Sequence, residues 1–253
     1  MVTTTEDTHP LRRYLLPPGR IVRRAREWWL YDQAGERYID FWQADGGAFL
    51  GHRPRGLGRL VEAEIDRGLW APVPTAWPGR LTRALAALAA AAELPSLSPI
   101  NGSLQAARLA AGRWLPLCDP SDRPAAGEAP TVVVPVPGAT FGSTLEFSEI
   151  SPMVVAALAR MTVALAEYLT SDAGRLRREQ ADELVVPPGY RRSGVWMLPI
   201  HEYAQPNWDS WRMSAAGRGI LLPPEGVTPM VIPGELTRRD VDRWKGLVDD
   251  WPR

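Results

Sequence analysis

Apolar and polar positions along this chain fall into short β-prone runs and longer helical stripes. Residues 1–18 read as a loose polar arm ending in Pro17-Pro18. Trp28 to Tyr31 is a β-prone run, Asp32-Gln33-Ala34-Gly35 is turn chemistry, and Arg37 to Phe41 is a return strand, so the pattern predicts a hairpin. Gly46-Gly47 and Gly51 loosen the chain before a helix predicted near 58–69, and Pro72, Pro74 and Pro78 mark a loop. Leu81, Leu85 and Leu88 draw a narrow apolar stripe through an alanine-rich helix over 81–94. Pro95 to Pro99 breaks it, and Asn101-Gly102 precedes a further helix over 104–114 with Ser103 as N-cap. Residues 118–130 read as a surface loop and 131–136 as a buried strand. Pro152 sits at the first turn of a helix over 153–169, followed by a charged helical stretch over 175–182. After Pro187-Pro188, residues 194–200 and 219–222 are strand candidates. Thr237 starts a closing helix to about Trp251, with Asp240 in its first turn.

Composition narrows the function classes. The 253 residues carry 29 basic and 29 acidic side chains, and this balance argues against a nucleic-acid partner. Cys118 is the only cysteine, which excludes an internal disulfide and a cysteine metal site. The polar, acidic start from Met1 to Pro10 is unlike a secretory signal. The most apolar stretch, Met153 to Leu169, is interrupted by Arg160 and Glu167 and reads as too short and too polar to span a bilayer. No membrane partner and a cytoplasmic location are therefore expected. Lys245 is the only lysine, so a single ε-amine is available for imine chemistry.

Three blocks, in order, resemble the class III aminotransferases, which are fold type I enzymes using pyridoxal phosphate. The first runs from Arg20 to Phe41 and carries the spacing Asp32-x-x-Gly35-x-x-Tyr38-x-Asp40-Phe41, then continues into Phe49-Leu50-Gly51-His52-Arg53-Pro54. The second is Asn101-Gly102-Ser103-Leu104-Gln105, where the family holds the cofactor phosphate on backbone amides at a helix start. Here Gln105 replaces the family's acidic residue. The third runs from Ser151-Pro152 through Tyr168 and reappears at Gly217 to Leu222 and Val231 to Asp242. The resemblance implies an α/β protein, a reduced fold type I aminotransferase-like architecture with an α+β small domain. Residues 1–50 and 185–253 would form small-domain-like segments, and 51–184 a reduced large-domain-like segment.

The same resemblance exposes what is missing. Only residues 116–150 bridge the second and third blocks, and none of them is lysine. The family places there the aspartate that protonates the pyridine nitrogen and the lysine that holds the cofactor. Pro229-Met230-Val231 stands where a substrate-carboxylate arginine is expected. An amine that both anchors the cofactor and moves the Cα proton is central to transamination. Conventional transaminase activity and covalent cofactor attachment are therefore not expected, and no catalytic residue is assigned. Gly102 and Ser103 remain as a vestigial phosphate site, although a helix-terminus dipole of about 0.3–1 kcal/mol is too little to hold a cofactor alone.

Other motifs carry less. His201-Glu202-Tyr203-Ala204-Gln205 begins like a zinc helix but lacks its second histidine, and His9 and His52 are distant in sequence, so no metal is expected. Gly56-Leu57-Gly58 lacks the third glycine of a dinucleotide loop. The arginine pairs 23–24, 177–178, 191–192 and 238–239 either cradle an anion or form solvated faces, and interleaved acids favour the second. Trp28 and Trp29 cannot share a face if both lie on a strand. The chain reads as a catalytically degenerate, binding, regulatory or partner subunit. Its partner would be a second copy or a full-length aminotransferase relative, with Trp70 and Trp77 as contact anchors. The alternative is a noncanonical pyridoxal-phosphate enzyme, or a class III transaminase holding its cofactor non-covalently.

Overall fold

The computed structural model describes residues 20–43, 46–91, 98–102, 131–135, 151–200 and 207–251. The expected helix over 104–114, the Ser103 cap, Cys118, His9 and the stretch from His201 to Gln205 lie outside these residues.

The hairpin forms as its alternation predicts. Strands β2 (Trp29–Asp32) and β3 (Arg37–Asp40) pair antiparallel with Trp29 opposite Ile39 and Leu30 opposite Tyr38. Asp32 closes the turn, its Oδ1 accepting from the N–H groups of Ala34 and Glu36 at 2.9 Å each. Gly35 supplies the left-handed φ of 86° that the turn needs. The pairing puts Trp29 and Ile39 in the main core and Leu30 and Tyr38 in a smaller cluster with Leu221. Trp28 and Trp29 do not share a face: Trp28 precedes the strand, and its Nε1 donates to the Phe49 carbonyl at 3.1 Å. A strand not expected from the pattern, β1 (Val22–Arg26), extends the hairpin on its open edge. Its arginines face outward, and cationic side chains suit an exposed edge.

Helix α1 (Leu57–Asp66) buries Glu64, whose carboxylate accepts from Arg67 at 2.7 Å and from Trp77 Nε1 at 2.9 Å. Helix α2 (Trp77–Ala91) starts earlier than expected. Pro78 stands in its first turn, where a missing N–H costs nothing, and so belongs to the helix and not to the loop. Asn101 and Gly102 likewise belong to a strand, β4 (Ser98–Gly102), which pairs in parallel with β5 (Thr131–Pro135).

Helix α3 (Pro152–Leu169) packs on α2 through Leu81, Leu85, Val155 and Ala159. With 18 residues and a mean hydropathy of 1.4 it meets the length and composition of a membrane span, which corrects the expectation that it is too short and too polar. Val155, Ala156, Ala159, Leu165 and Leu169 are nevertheless buried inside the protein. Helix α4 (Asp172–Glu183) follows, capped by Ser171, whose side chain accepts from the Gly174 N–H.

The C-terminal part closes the core. Strands β6 (Tyr190–Ser193) and β7 (Trp196–Pro199) form a hairpin where only the second strand was expected, and β9 (Met230–Val231) pairs with β7. Helix α5 (Trp208–Gly217), also unexpected, leads into β8 (Ile220–Leu221), which adds to β3 in parallel. Helix α6 (Arg238–Asp249) starts at Thr237 with Asp240 in its first turn, as expected, and the two side chains form a reciprocal cap. Trp244 of α6 stacks on Phe41 at 4.2 Å between centroids. The hairpin and the closing helix thus share one core, which also takes in Leu88, Leu165, Leu169 and Ala181.

Candidate functional site

The segment most like the aminotransferase motif builds a buried polar hub. Asp40, at the end of β3, is fully buried. Its Oδ1 accepts from the backbone N–H groups of Trp42 at 2.9 Å and Gln43 at 2.8 Å, and its Oδ2 lies 2.9 Å from His52 Nε2. Gln43 adopts a left-handed φ of 51° and donates from Nε2 to the carbonyls of Asp40 and Val231, each at 3.1 Å. The spacing between Asp40 and the Gly51-His52 pair is therefore a folding constraint: one carboxylate shapes the turn and orients an imidazole.

Arg177 completes the hub from α4. Its Nε and Nη2 donate to the Ile232 carbonyl at 2.8 and 2.6 Å, Nη1 donates to the Phe49 carbonyl at 2.8 Å, and Nη2 reaches Gln43 Oε1 at 3.3 Å. The guanidinium lies 4.1 Å from the Phe49 ring centroid and 5.2 Å from that of Trp28. Burial pulls it down to about 10, against a raising influence of Tyr168. This corrects the reading of the 177–178 pair as a solvated face. Gly174, Arg177 and Ala181 form the buried stripe of α4, spaced at i, i+3 and i+7, and that spacing was the signal available in the sequence.

Beside this hub opens a cleft of about 480 Å³. Leu50, Pro54 and Arg55 form one side, directly around the Gly51-His52 turn. Arg160, Ala164, Glu167 and Tyr168 of α3 form the other, with Ser171 at the end. Tyr168 meets Phe49 edge-on at 6.0 Å, which links the cleft wall to the hub. A second cleft of about 490 Å³ lies between Asn207, Asp209 and Ser210 of the α5 start and Pro224 to Gly226. No group of three or more potential metal ligands occurs among the described residues.

No family model matches the chain. A 64-residue stretch is 39% identical to a glutamate-1-semialdehyde 2,1-aminomutase of Methanothrix thermoacetophila, covering 25% of this chain and 15% of that protein. A 55-residue stretch is 44% identical to an uncharacterized protein of Borreliella burgdorferi, covering 22% of this chain and 20% of that protein. The chain thus spans a fifth or less of these curated relatives. The likeness in structure is far broader. A glutamate-1-semialdehyde aminomutase from Pseudomonas aeruginosa PAO1 matches with a TM-score of 0.52 at 13% identity, over 91% of this chain and 87% of that one. An acetylornithine aminotransferase from Elizabethkingia anophelis gives 0.52 at 12% identity, over 98% and 97%. This chain has an aminotransferase fold. The α/β class and the resemblance to class III aminotransferases are borne out at the level of the fold.

Within this aminotransferase fold the sequence-derived site residues are only partly placed. Gly102 ends β4, and Ser103 lies outside the described residues. Lys245 is exposed on α6, one residue after the core anchor Trp244. A lysine that held pyridoxal phosphate would have to point into a cofactor cavity, and the chain's single lysine faces outward instead. Trp77 is tied to Glu64, whereas Trp70 is 69% exposed.

Proposed function

We propose that this protein is a catalytically degenerate aminotransferase relative that serves as a binding, regulatory or partner subunit. The observation that carries the reading is the outward placement of Lys245 on α6 in a chain with no other lysine. A transaminase needs an amine that anchors the cofactor and relays a proton. On this reading residues 1–50 and 185–253 act as the small domain and 51–184 as a reduced large domain. The stack of Phe41 on Trp244 supports the joining of the two ends. Gly102 and Ser103 are a vestigial phosphate site, supported by the strand that ends at Gly102. The partner is a second copy or a full-length aminotransferase relative. Exposed Ile65, Trp70 and Val73 support a contact surface there. The balanced charge supports a cytoplasmic protein that binds neither nucleic acid nor membrane.

The test is a titration with pyridoxal phosphate followed by borohydride reduction and peptide mapping of the native protein. The expected result is no pyridoxyl adduct at Lys245 and no amino transfer to a 2-oxo acid. A stoichiometric Lys245 adduct accompanied by amino transfer would overturn the proposal. Light scattering addresses the partner: a self-association reading requires a mass near twice 27.9 kDa.

One finding favours a second reading, in which the cofactor is held non-covalently. A lysine-to-alanine variant of the Pseudomonas aeruginosa aminomutase, matching with a TM-score of 0.51 at 14% identity, forms a complex with PMP. Saturable retention of pyridoxal or pyridoxamine phosphate in equilibrium dialysis, without a borohydride-stable adduct, would support this reading over the first.

A further inference from the structure

We infer that the open edge of β1 receives an extended acidic segment of a partner protein, one in which acidic and apolar residues alternate. Among the described residues, β1 is the outer strand of the four-stranded sheet that it forms with β2, β3 and β8. Arg20, Arg23, Arg24 and Arg26 fall in the run 20–26, which contains no acidic residue. Cationic side chains along an edge keep a second copy of the same edge away, because like charges would stand opposite each other. The same row favours a strand of opposite charge.

The ladder shows which backbone groups are open. Asp32 donates its N–H to the Glu36 carbonyl and Trp28 accepts from the Asp40 N–H, so the even-numbered residues here bond toward β3. Trp29 and Tyr31 are left to bond Arg26 and Arg24, which stand opposite them on β1. Ala25 lies between those two, and the alternation of an antiparallel pair turns its N–H and C=O away from β2. Arg23 falls at an irregularity in the register and has no residue opposite it on β2.

The side chains set the pattern of the partner. Ala25, Leu30 and Tyr38 stand opposite one another in succession, and with Val22 and Leu221 they form an apolar cluster on one face of the sheet. Arg24, Tyr31 and Arg37 form the neighbouring row on the other face. The Arg24 guanidinium lies 4.3 Å from the Tyr31 ring centroid, and that of Arg37 lies 4.2 Å from the Trp29 ring centroid. A strand added to β1 meets guanidinium groups on one face and apolar surface on the other. Its complement is a strand of alternating acidic and apolar residues. Nucleic acid answers the arginines alone, since it has no amide and carbonyl row to pair with the edge. The edge uses neither Lys245 nor the exposed Ile65, Trp70 and Val73, so it is tested independently of the proposed function.

The test is fluorescence anisotropy of a labelled peptide alternating glutamate and valine, titrated with the full chain. Saturable binding is expected, weakening as salt is raised. A peptide of the same composition with its glutamates and valines in separate blocks should bind about tenfold more weakly or worse, as should the alternating peptide N-methylated on every second amide in the phase that faces β1. A lysine–valine peptide should not bind, and oligothymidylate should bind more weakly than the glutamate–valine peptide. Arg24→Glu and Arg26→Glu should each weaken the alternating peptide about tenfold. Circular dichroism confirms the fold of each variant, and both side chains are exposed. If one variant fails to fold, the other and the peptide series decide the matter. Absence of saturable binding, block-order peptide or oligothymidylate binding as tight as the alternating peptide, or unchanged affinity in the folded arginine variants would overturn the proposal. Unchanged affinity of the N-methylated peptide would overturn the pairing of strand to edge.

Discussion

Replacing Gly234 with alanine drives a methyl group into the indole of Trp28. A Cβ built at Gly234 would stand 2.5 Å from Trp28 Cη2 and 2.8 Å from both Cζ2 and Cζ3. Carbon atoms settle at about 3.5–4.0 Å, so the ring or the backbone must give way by roughly 1 Å. The indole has little freedom to do so, being buried and held by its Nε1 bond to the Phe49 carbonyl at 3.1 Å. Overpacking of this kind costs about 1–3 kcal/mol, and losing the indole bond adds about 1 kcal/mol. Reduced freedom of the unfolded chain returns about 0.4–1 kcal/mol. The net expectation is a loss of about 1–3.5 kcal/mol. Gly58→Ala is the control, since its Cβ meets nothing within 4 Å and it lies inside α1. The same chemical change there should stabilise by roughly 0.5–1 kcal/mol. Urea unfolding followed by far-ultraviolet circular dichroism reads both, with a slope of about 1–3 kcal/mol/M converting midpoint to free energy. A Gly234→Ala midpoint equal to that of the wild type, or a fall of equal size in both variants, would refute the packing argument.

Tyr190→Phe removes a buried hydroxyl that donates to the Gly226 carbonyl at 2.6 Å, and should cost about 1–2 kcal/mol at neutral pH in the same unfolding assay. Burial holds the Tyr190 phenol above its ordinary value. Its stabilising contribution is therefore complete below about pH 10 and lost as pH rises through the folded value, so the variant should decline less steeply in alkali. For Asp32, burial pushes the carboxyl up, but hydrogen bonds from Glu36, Tyr38 and Ala34 and the charge of Arg20 outweigh it and hold it low. Its contribution is present above the unfolded value of about 3.9 and lost as pH falls through the folded one, so Asp32→Asn should flatten the acid limb of a stability profile. Thr237→Ala removes the side-chain half of the reciprocal cap, in which Thr237 Oγ1 accepts from the Asp240 N–H at 3.3 Å, and keeps the backbone N–H of residue 237 that donates to Asp240 Oδ2 at 3.0 Å; thermal unfolding should register a loss of about 1 kcal/mol.

Elements with local causes are legible in the amino-acid sequence. The Trp29–Asp32 and Arg37–Asp40 hairpin rests on alternation and on Asp32-Gln33-Ala34-Gly35, all within a few residues. The closing helix carries its own start signal in Thr237 and Asp240, and α3 its own long apolar run. The lysine count is a property of the sequence outright. Elements that depend on distant partners are not legible there. The pattern assigns no element to Val22–Arg26, which becomes a strand because β2 offers a free edge. The strand over Ile220 and Leu221 is legible, but its pairing with Ile39 and Asp40 crosses a sequence gap that no local pattern spans.

The site divides the same way. The motif residues Asp40, Gly51 and His52 are visible as a spaced pattern, whereas the spacing of Gly174, Arg177 and Ala181 signals only a buried helix face, and nothing in Gln43 or Arg177 shows that they join the motif. Arg177 sits among charged neighbours and reads as surface, yet the fold surrounds it with the Ile232 and Phe49 carbonyls and the Gln43 amide. A guanidinium tolerates burial only where acceptors from several segments converge, and convergence is a property of three dimensions. The outward placement of Lys245 has the same origin. Sequence shows a single amine, while the packing of Trp244 against Phe41 decides which way the helix turns its neighbour. Short-range hydrogen bonds and periodicity are written in consecutive residues, whereas the direction of a side chain relative to a site depends on contacts made by residues far apart along the chain.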